Sequence, residues 1–189
     1  MIFLIGFMGA GKTTLGRALE ARLPGWRYID LDQEIEKTAG ISVSRFFALH
    51  GEEAFRQLER VTLTRVTHVD GDLIIGCGGG TPCYYDNMTL MNNRGLTILL
   101  EASHPTLLRR LLEAQARRPK LAGLSPDEVS SYIRQAIDER TPYYSRAAHT
   151  FATDRLENID EIHETCARFI DRFISPADKS PDLISPAQS

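Results

Sequence analysis

The chain has 189 residues, 42% of them hydrophobic and 25% charged, which suits one compact domain and excludes global disorder. A net charge of -3 and a pI near 6.0 offer no broad basic field, so neither duplex nucleic acid nor an anionic membrane is expected as a partner. Lysine occurs only at positions 12, 37, 120 and 179, so 22 minus 4 leaves 18 arginines, the residue suited to two-pronged grips on carboxylates and phosphates.

No apolar run approaches the roughly eighteen residues of a membrane span; Ile2–Ile5 and Leu96–Leu100 are strand-sized. The opening residues carry no basic segment and no small-residue cleavage site, so no secretory leader is expected. Three cysteines (77, 83 and 166) are an odd number and argue against a disulfide framework. Reduced thiols in a cytoplasmic protein are the expectation, with Cys77 and Cys83, on either side of the three glycines, expected to be buried.

In chain order, Ile2–Ile5 is expected as a buried strand and Lys12–Leu23 as a helix stopped by Pro24-Gly25. Trp26–Asp30 follows as a second strand, then short helices over Gln33–Ala39 and Val43–His50, each closed by glycine. Apolar residues at 55, 58, 61, 63, 66 and 69 give Glu52–Val69 a helical stripe. Leu73–Ile75 is a strand running into three glycines, and Leu96–Leu100 another. His104-Pro105 opens a helix to about Glu113, followed by an arginine-rich lid over about 114–124.

Ser125-Pro-Asp-Glu128 combines an N-cap, a proline in the first turn and a capping-box glutamate for a helix to about Arg140. Phe151 belongs to a last short strand, and Asn158 to Glu161 cap a final helix through Ile174. Strands alternating with helices predict an α/β domain over residues 1–174, a five-stranded parallel sheet with helices on both faces. Residues 175–189 repeat Ser-Pro at 175, 180 and 185 and are expected to form a tail outside the folded body, which would then carry about -2.

Gly6-Phe-Met-Gly-Ala-Gly-Lys12-Thr13 fits the phosphate-loop pattern G-x-x-x-x-G-K-[ST]. Glycines let backbone N–H groups of Gly9, Ala10, Gly11, Lys12, Thr13 and Thr14 curl around phosphate oxygens at a helix N-terminus. Lys12 can reach the β and γ oxygens, and the Thr13 hydroxyl can ligate Mg²⁺. The guanine signature N-K-x-D is absent, which favours ATP over GTP.

Asp30 and Asp32 flank Leu31 at the carboxyl end of the second strand, where both can face the cleft. One can hold water of a metal shell and the other can accept an alcohol proton, or the pair can simply cap the helix after Asp32. Gly78-Gly79-Gly80 follows a strand directly and lets a ligand lie against backbone. Arg56, Arg117, Arg118 and Arg140 supply guanidiniums on a helix and at helix–loop junctions.

These segments, together with Gly-Glu-Glu-Ala-Phe-Arg56, Arg118-Pro119 and Glu-Arg140-Thr-Pro-Tyr-Tyr, stand in the order and spacing of shikimate kinases, which the chain resembles over about residues 1–173. The resemblance implies a P-loop kinase fold and transfer of the ATP γ-phosphate to the 3-hydroxyl of shikimate, a step towards chorismate and the aromatic amino acids. It implies that Lys12 and Thr13 handle phosphate and one Mg²⁺ per chain, with Asp30 near the metal's water shell. Asp32 is implied as base and ring-hydroxyl ligand, Arg56 and Arg140 as carboxylate grips, Gly78, Gly79 and Gly80 as ring lining, and Arg118 as a lid cation. A monomer acting on shikimate and ATP is the corresponding expectation.

The chain departs from the family's pattern in two places. Lys120 stands after Arg118-Pro119 where apolar residues are usual. Thr153-Asp154-Arg155-Leu-Glu-Asn158 has an arginine but lacks the family's proline, leaving Arg155, Arg109 and Arg110 as rival adenine contacts. Two other readings compete: a P-loop kinase of gluconate or a nucleoside monophosphate, and a non-catalytic ATP-binding module in which Thr97–Glu101 imitates a Walker B strand.

Overall fold

A computed structural model of the chain describes residues 1–117 and 121–174. The expected tail (175–189), Arg118, Pro119 and Lys120 lie outside the described residues. Five strands, β1 (Ile2–Ile5), β2 (Trp26–Asp30), β3 (Asp72–Gly76), β4 (Leu96–Glu101) and β5 (His149–Ala152), form one sheet in the order β2-β3-β1-β4-β5. Every pairing is parallel, and the register puts Ile2 beside Ile74 and Leu96, and Asp30 beside Gly76. β1 is fully buried because it lies between two neighbours and under helices on both sides.

Strand alternation divides its side chains between two cores. Phe3 and Ile5 join Leu31, Ile35, Phe55, Leu63 and Met88 on one face. Ile2 and Leu4 join Leu15, Leu19, Cys166 and Phe169 on the other. Fully burying each such side chain contributes roughly 1.5–3 kcal/mol. A third cluster, with Phe7, Leu111 and Ile133, ties the phosphate loop to the helices over His104–Glu113 and Pro126–Tyr144.

The helices are α1 (Lys12–Glu20), α2 (Leu31–Ala39), α3 (Val43–Val66), α4 (Asn87–Arg94), α5 (His104–Glu113), α6 (Pro126–Tyr144) and α7 (Ile159–Phe173). α3 joins the two helices expected over 43–50 and 52–69, with a break at Gly51 (φ 78°, ψ 178°) and an end three residues early. α2 starts two residues earlier than expected because Asp30, not Asp32, is its cap: Asp30 accepts from the N–H groups of Asp32 and Gln33. α6 runs one turn past Arg140, through Pro142, so Arg140 projects from a helix rather than from a junction. Its capping box at Ser125 and Glu128 is present as expected. α4 was not foreseen. No helix among the described residues is long and apolar enough to cross a membrane.

Candidate active site

The sheet order reverses beside β1, and the crevice outside the carboxyl ends of its strands is where α/β proteins bind ligands. The loop from Gly6 to Gly11 fills that point, with Gly9 and Gly11 both at positive φ (84° and 87°). The first amides of α1 have no intrahelical acceptor and face the crevice. Lys12 Nζ donates to the Gly6 carbonyl at 2.6 Å and the Phe7 carbonyl at 2.9 Å, which lays the ammonium along the loop. Thr153 Oγ1 ties the Ala10 carbonyl to the end of β4 by donating to it at 2.8 Å.

Gly9, Gly11, Lys12, Thr13, Thr14 and Asp32 line a cavity of about 340 Å³, with Tyr28, Asp30, Gly78, Gly79, Arg110 and Leu156 also among its walls. Thr13 Oγ1 donates to Asp30 Oδ2 at 3.2 Å. An oxygen-only donor set of one hydroxyl and one or two carboxylates fits Mg²⁺, which takes its remaining ligands from phosphates and water. Among the described residues no cluster of three or more His, Cys, Asp or Glu could hold a metal without such outside ligands. Burial, then the charges of Asp30 and Glu59, push the Asp32 carboxyl up to about 6, against an opposing pull from Lys12.

A second cavity, about 430 Å³, adjoins through the glycine turn and is lined by Arg56, Gly80, Cys83, Tyr84, Glu139 and Arg140 among others. The turn explains how Asp32, Arg56 and Arg140, from three helices, approach one another. A Cβ at Gly78 would lie 3.1 Å from Asp32 Oδ1, one at Gly79 3.0 Å from Arg140 Nη1, and one at Gly80 2.7 Å from Arg56 Nη2. Each glycine therefore admits one of the three charged side chains against bare backbone.

Arg56 is buried, and its guanidinium donates to Glu59 at 2.8 Å and Glu52 at 3.1 Å while lying 4.0 Å from the Tyr84 ring centroid. Glu59 is itself buried and also accepts from Thr81 Oγ1 at 2.6 Å. Arg140 lies over the Phe7 ring. The Tyr144 hydroxyl donates to the Gly79 carbonyl at 2.7 Å and pins the turn.

One site residue, Glu59, was missed from sequence, and the three rival arginines take different places. Glu59 is the buried partner of Arg56, and its signal was present: an acid at i+3 from an arginine on a core-facing stripe. Arg155 pairs with Glu164 at 2.9 Å on the exposed face of α7 and lines neither cavity. Arg110 lines the phosphate cavity instead, donating to the carbonyls of Gly9 (2.9 Å), Thr153 (2.9 Å) and Asp154 (3.1 Å), with Glu157 as its ion-pair partner. Arg109 also pairs with Glu157, at 2.7 Å. Cys77 is buried as expected, but Cys83, also expected to be buried, is only half-buried because it lines the second cavity; Cys166 is buried, and all three are free thiols.

The family model for shikimate kinase matches residues 8–171. The chain belongs to the shikimate kinase family. The shikimate kinase of Phocaeicola vulgatus is 45% identical over 161 residues, which span 85% of this chain and 91% of that protein. The crystal structure of shikimate kinase from Bacteroides thetaiotaomicron matches with a TM-score of 0.86 at 42% identity, covering 90% of this chain and 96% of that one. That of Acinetobacter baumannii shikimate kinase in complex with shikimate matches with a TM-score of 0.79 at 30% identity over 94% of both chains. Membership makes the chain an ATP-dependent kinase with ATP as co-substrate, which removes the non-catalytic reading. The shikimate kinase fold also accounts for the five-stranded parallel sheet.

Proposed function

We propose that the two adjoining cavities bind ATP and shikimate and transfer the ATP γ-phosphate to the shikimate 3-hydroxyl, in the pathway to chorismate and the aromatic amino acids. One observation carries this reading: the Gly78-Gly79-Gly80 turn holds Asp32, Arg140 and Arg56 at the mouth between the phosphate cavity and the second cavity. Shikimate is a small ring with one carboxylate and three hydroxyls. Two arginines match its carboxylate, and a carboxylate matches its hydroxyls.

In this reading Arg56 and Arg140 hold the anion and Asp32 accepts a hydrogen bond from the reacting hydroxyl. That oxygen forms a bond to the γ-phosphorus, the bond from phosphorus to the ADP oxygen breaks, and the hydroxyl proton passes to Asp32. A carboxyl pushed up to about 6 is a stronger base than an ordinary aspartate and is still ionised at neutral pH. Lys12 and the loop amides neutralise the phosphate oxygens. Thr13 and Asp30 would hold one Mg²⁺ per chain with the nucleotide, and the ion supplies charge neutralisation on the phosphates. Arg110 and Leu156 line the phosphate cavity and Arg155 does not, which favours Arg110 over Arg155 as the arginine beside the nucleotide. Arg118 is assigned to a closing lid by its motif alone. A monomer in the cytoplasm completes the reading, and three free thiols fit that setting.

The test is ADP release with Mg-ATP over shikimate, gluconate and nucleoside monophosphates as acceptors. Turnover restricted to shikimate is expected. Robust use of another acceptor with none of shikimate would sink the assignment.

A further inference from the structure

Tyr28, the third residue of β2, has no part in the reading above, yet it lines the phosphate cavity. Its hydroxyl donates to Asp30 Oδ2 at 3.3 Å, the same oxygen that accepts from Thr13 Oγ1 at 3.2 Å. Asp30 Oδ1 is meanwhile occupied with capping α2, accepting from the N–H groups of Asp32 (3.2 Å) and Gln33 (3.4 Å). The carboxylate is gripped at both ends, and Tyr28 supplies the grip on Oδ2 from the sheet.

The fold makes room for this phenol. A Cβ at Gly16, inside α1, would overlap its ring, and one at Gly76, the register partner of Asp30, would overlap its hydroxyl oxygen first. A helix interior disfavours glycine, so the vacancy at Gly16 works against local propensity and serves the ring.

We propose that Tyr28 is a positioning residue for phosphoryl transfer: its hydroxyl holds Asp30 Oδ2 aimed at the cation and phosphates that Thr13 and Asp30 receive. The proposal rests on the reading of Thr13 and Asp30 given above. When the Thr13 oxygen turns a lone pair towards a cation, the Tyr28 bond still restrains the Asp30 carboxylate, so the oxygen face is set before the nucleotide arrives.

Tyr28→Phe keeps the ring between the glycines and deletes only the hydroxyl. Calorimetric titration of ADP with and without Mg²⁺ measures the effect apart from turnover. The Kd for ADP with Mg²⁺ is expected to rise about three- to tenfold, the scale of one ordinary net hydrogen bond, while the metal-free Kd stays the same. Half-saturating Mg²⁺ for turnover should rise in step, and KM for shikimate should stay unchanged. An equal loss in both nucleotide states would mark a general structural defect and overturn the proposal, as would an unchanged affinity with Mg²⁺. Asp30→Asn, titrated in parallel, separates the two levels. If it weakens the Mg²⁺-dependent affinity and Tyr28→Phe does not, the role of Tyr28 fails alone; if neither does, the assignment of Asp30 fails with it.

Discussion

In the proposed reading Asp32 is the base that accepts the hydroxyl proton. Its native carboxyl, pushed up to about 6 from 3.8, binds its proton more tightly folded than unfolded. The sign follows: its contribution to stability is fully present below about pH 4 and is lost as pH rises through about 6. At pH 8 the ionised group therefore costs the fold about 3 kcal/mol. Asp32→Asn should raise the unfolding free energy at pH 8 towards that figure, with the gain vanishing near pH 4; denaturant titrations at the two values check it. The same variant should lose about 10²–10⁴ in turnover while ATP affinity holds, as removal of a general base requires. In the wild type, kcat/KM should rise with pH through about 6.

Arg56 and Arg140 differ in what their loss leaves behind. Arg140→Ala should raise KM for shikimate roughly 10- to 100-fold with little change in KM for ATP, the effect of losing hydrogen bonds to one charged group. Arg56→Ala should do likewise but also destabilise the fold by about 3–5 kcal/mol, because Glu59 would remain buried without its ion-pair partner. Thermal melting of the two variants separates them. Equal melting temperatures would contradict the buried pair.

At the scale of elements, the glycine turn after β3 is the part on which the site depends most. Gly80→Ala places a methyl 2.7 Å from the Arg56 guanidinium, which must then shift from its present position. The expected result is a higher KM for shikimate at unchanged ATP affinity, measured by initial rates over both substrates. Elements with local signals were legible in sequence: the capped starts of α6 and α7 and the alternating strand–helix order. α4 was not, because three asparagines and a threonine interrupt the better helix formers of this eight-residue segment and Asp86 makes no capping bond. Burial of Asn87, Met88 and Met91 and a bond from the Asn87 amide to the Thr81 carbonyl hold it there. The end of α6 was placed early for a similar reason. Thr-Pro signals a stop locally, but the buried Tyr144, bonded to Gly79, draws the helix on.

For the whole molecule, a net charge of -3 conceals a site where Lys12, Arg56, Arg110 and Arg140 meet two anionic ligands in the proposed reading. The motifs made Asp32, Arg56, Arg140 and the glycines legible as a set, since each has a fixed place relative to a strand end. Pairing choices among arginines were not legible: Arg155 and Arg110 are equivalent by composition, and only packing sends one to Glu164 and the other to the phosphate loop. The parallel order β2-β3-β1-β4-β5 puts the loop, the aspartates and the glycines at one edge, so a single crevice can align a hydroxyl with the γ-phosphorus. The most direct measurement is phosphorus NMR of the products from shikimate and Mg-ATP. The account predicts one shikimate 3-phosphate for each ADP formed. Inorganic phosphate as the main product, or phosphate on another ring hydroxyl, would contradict it.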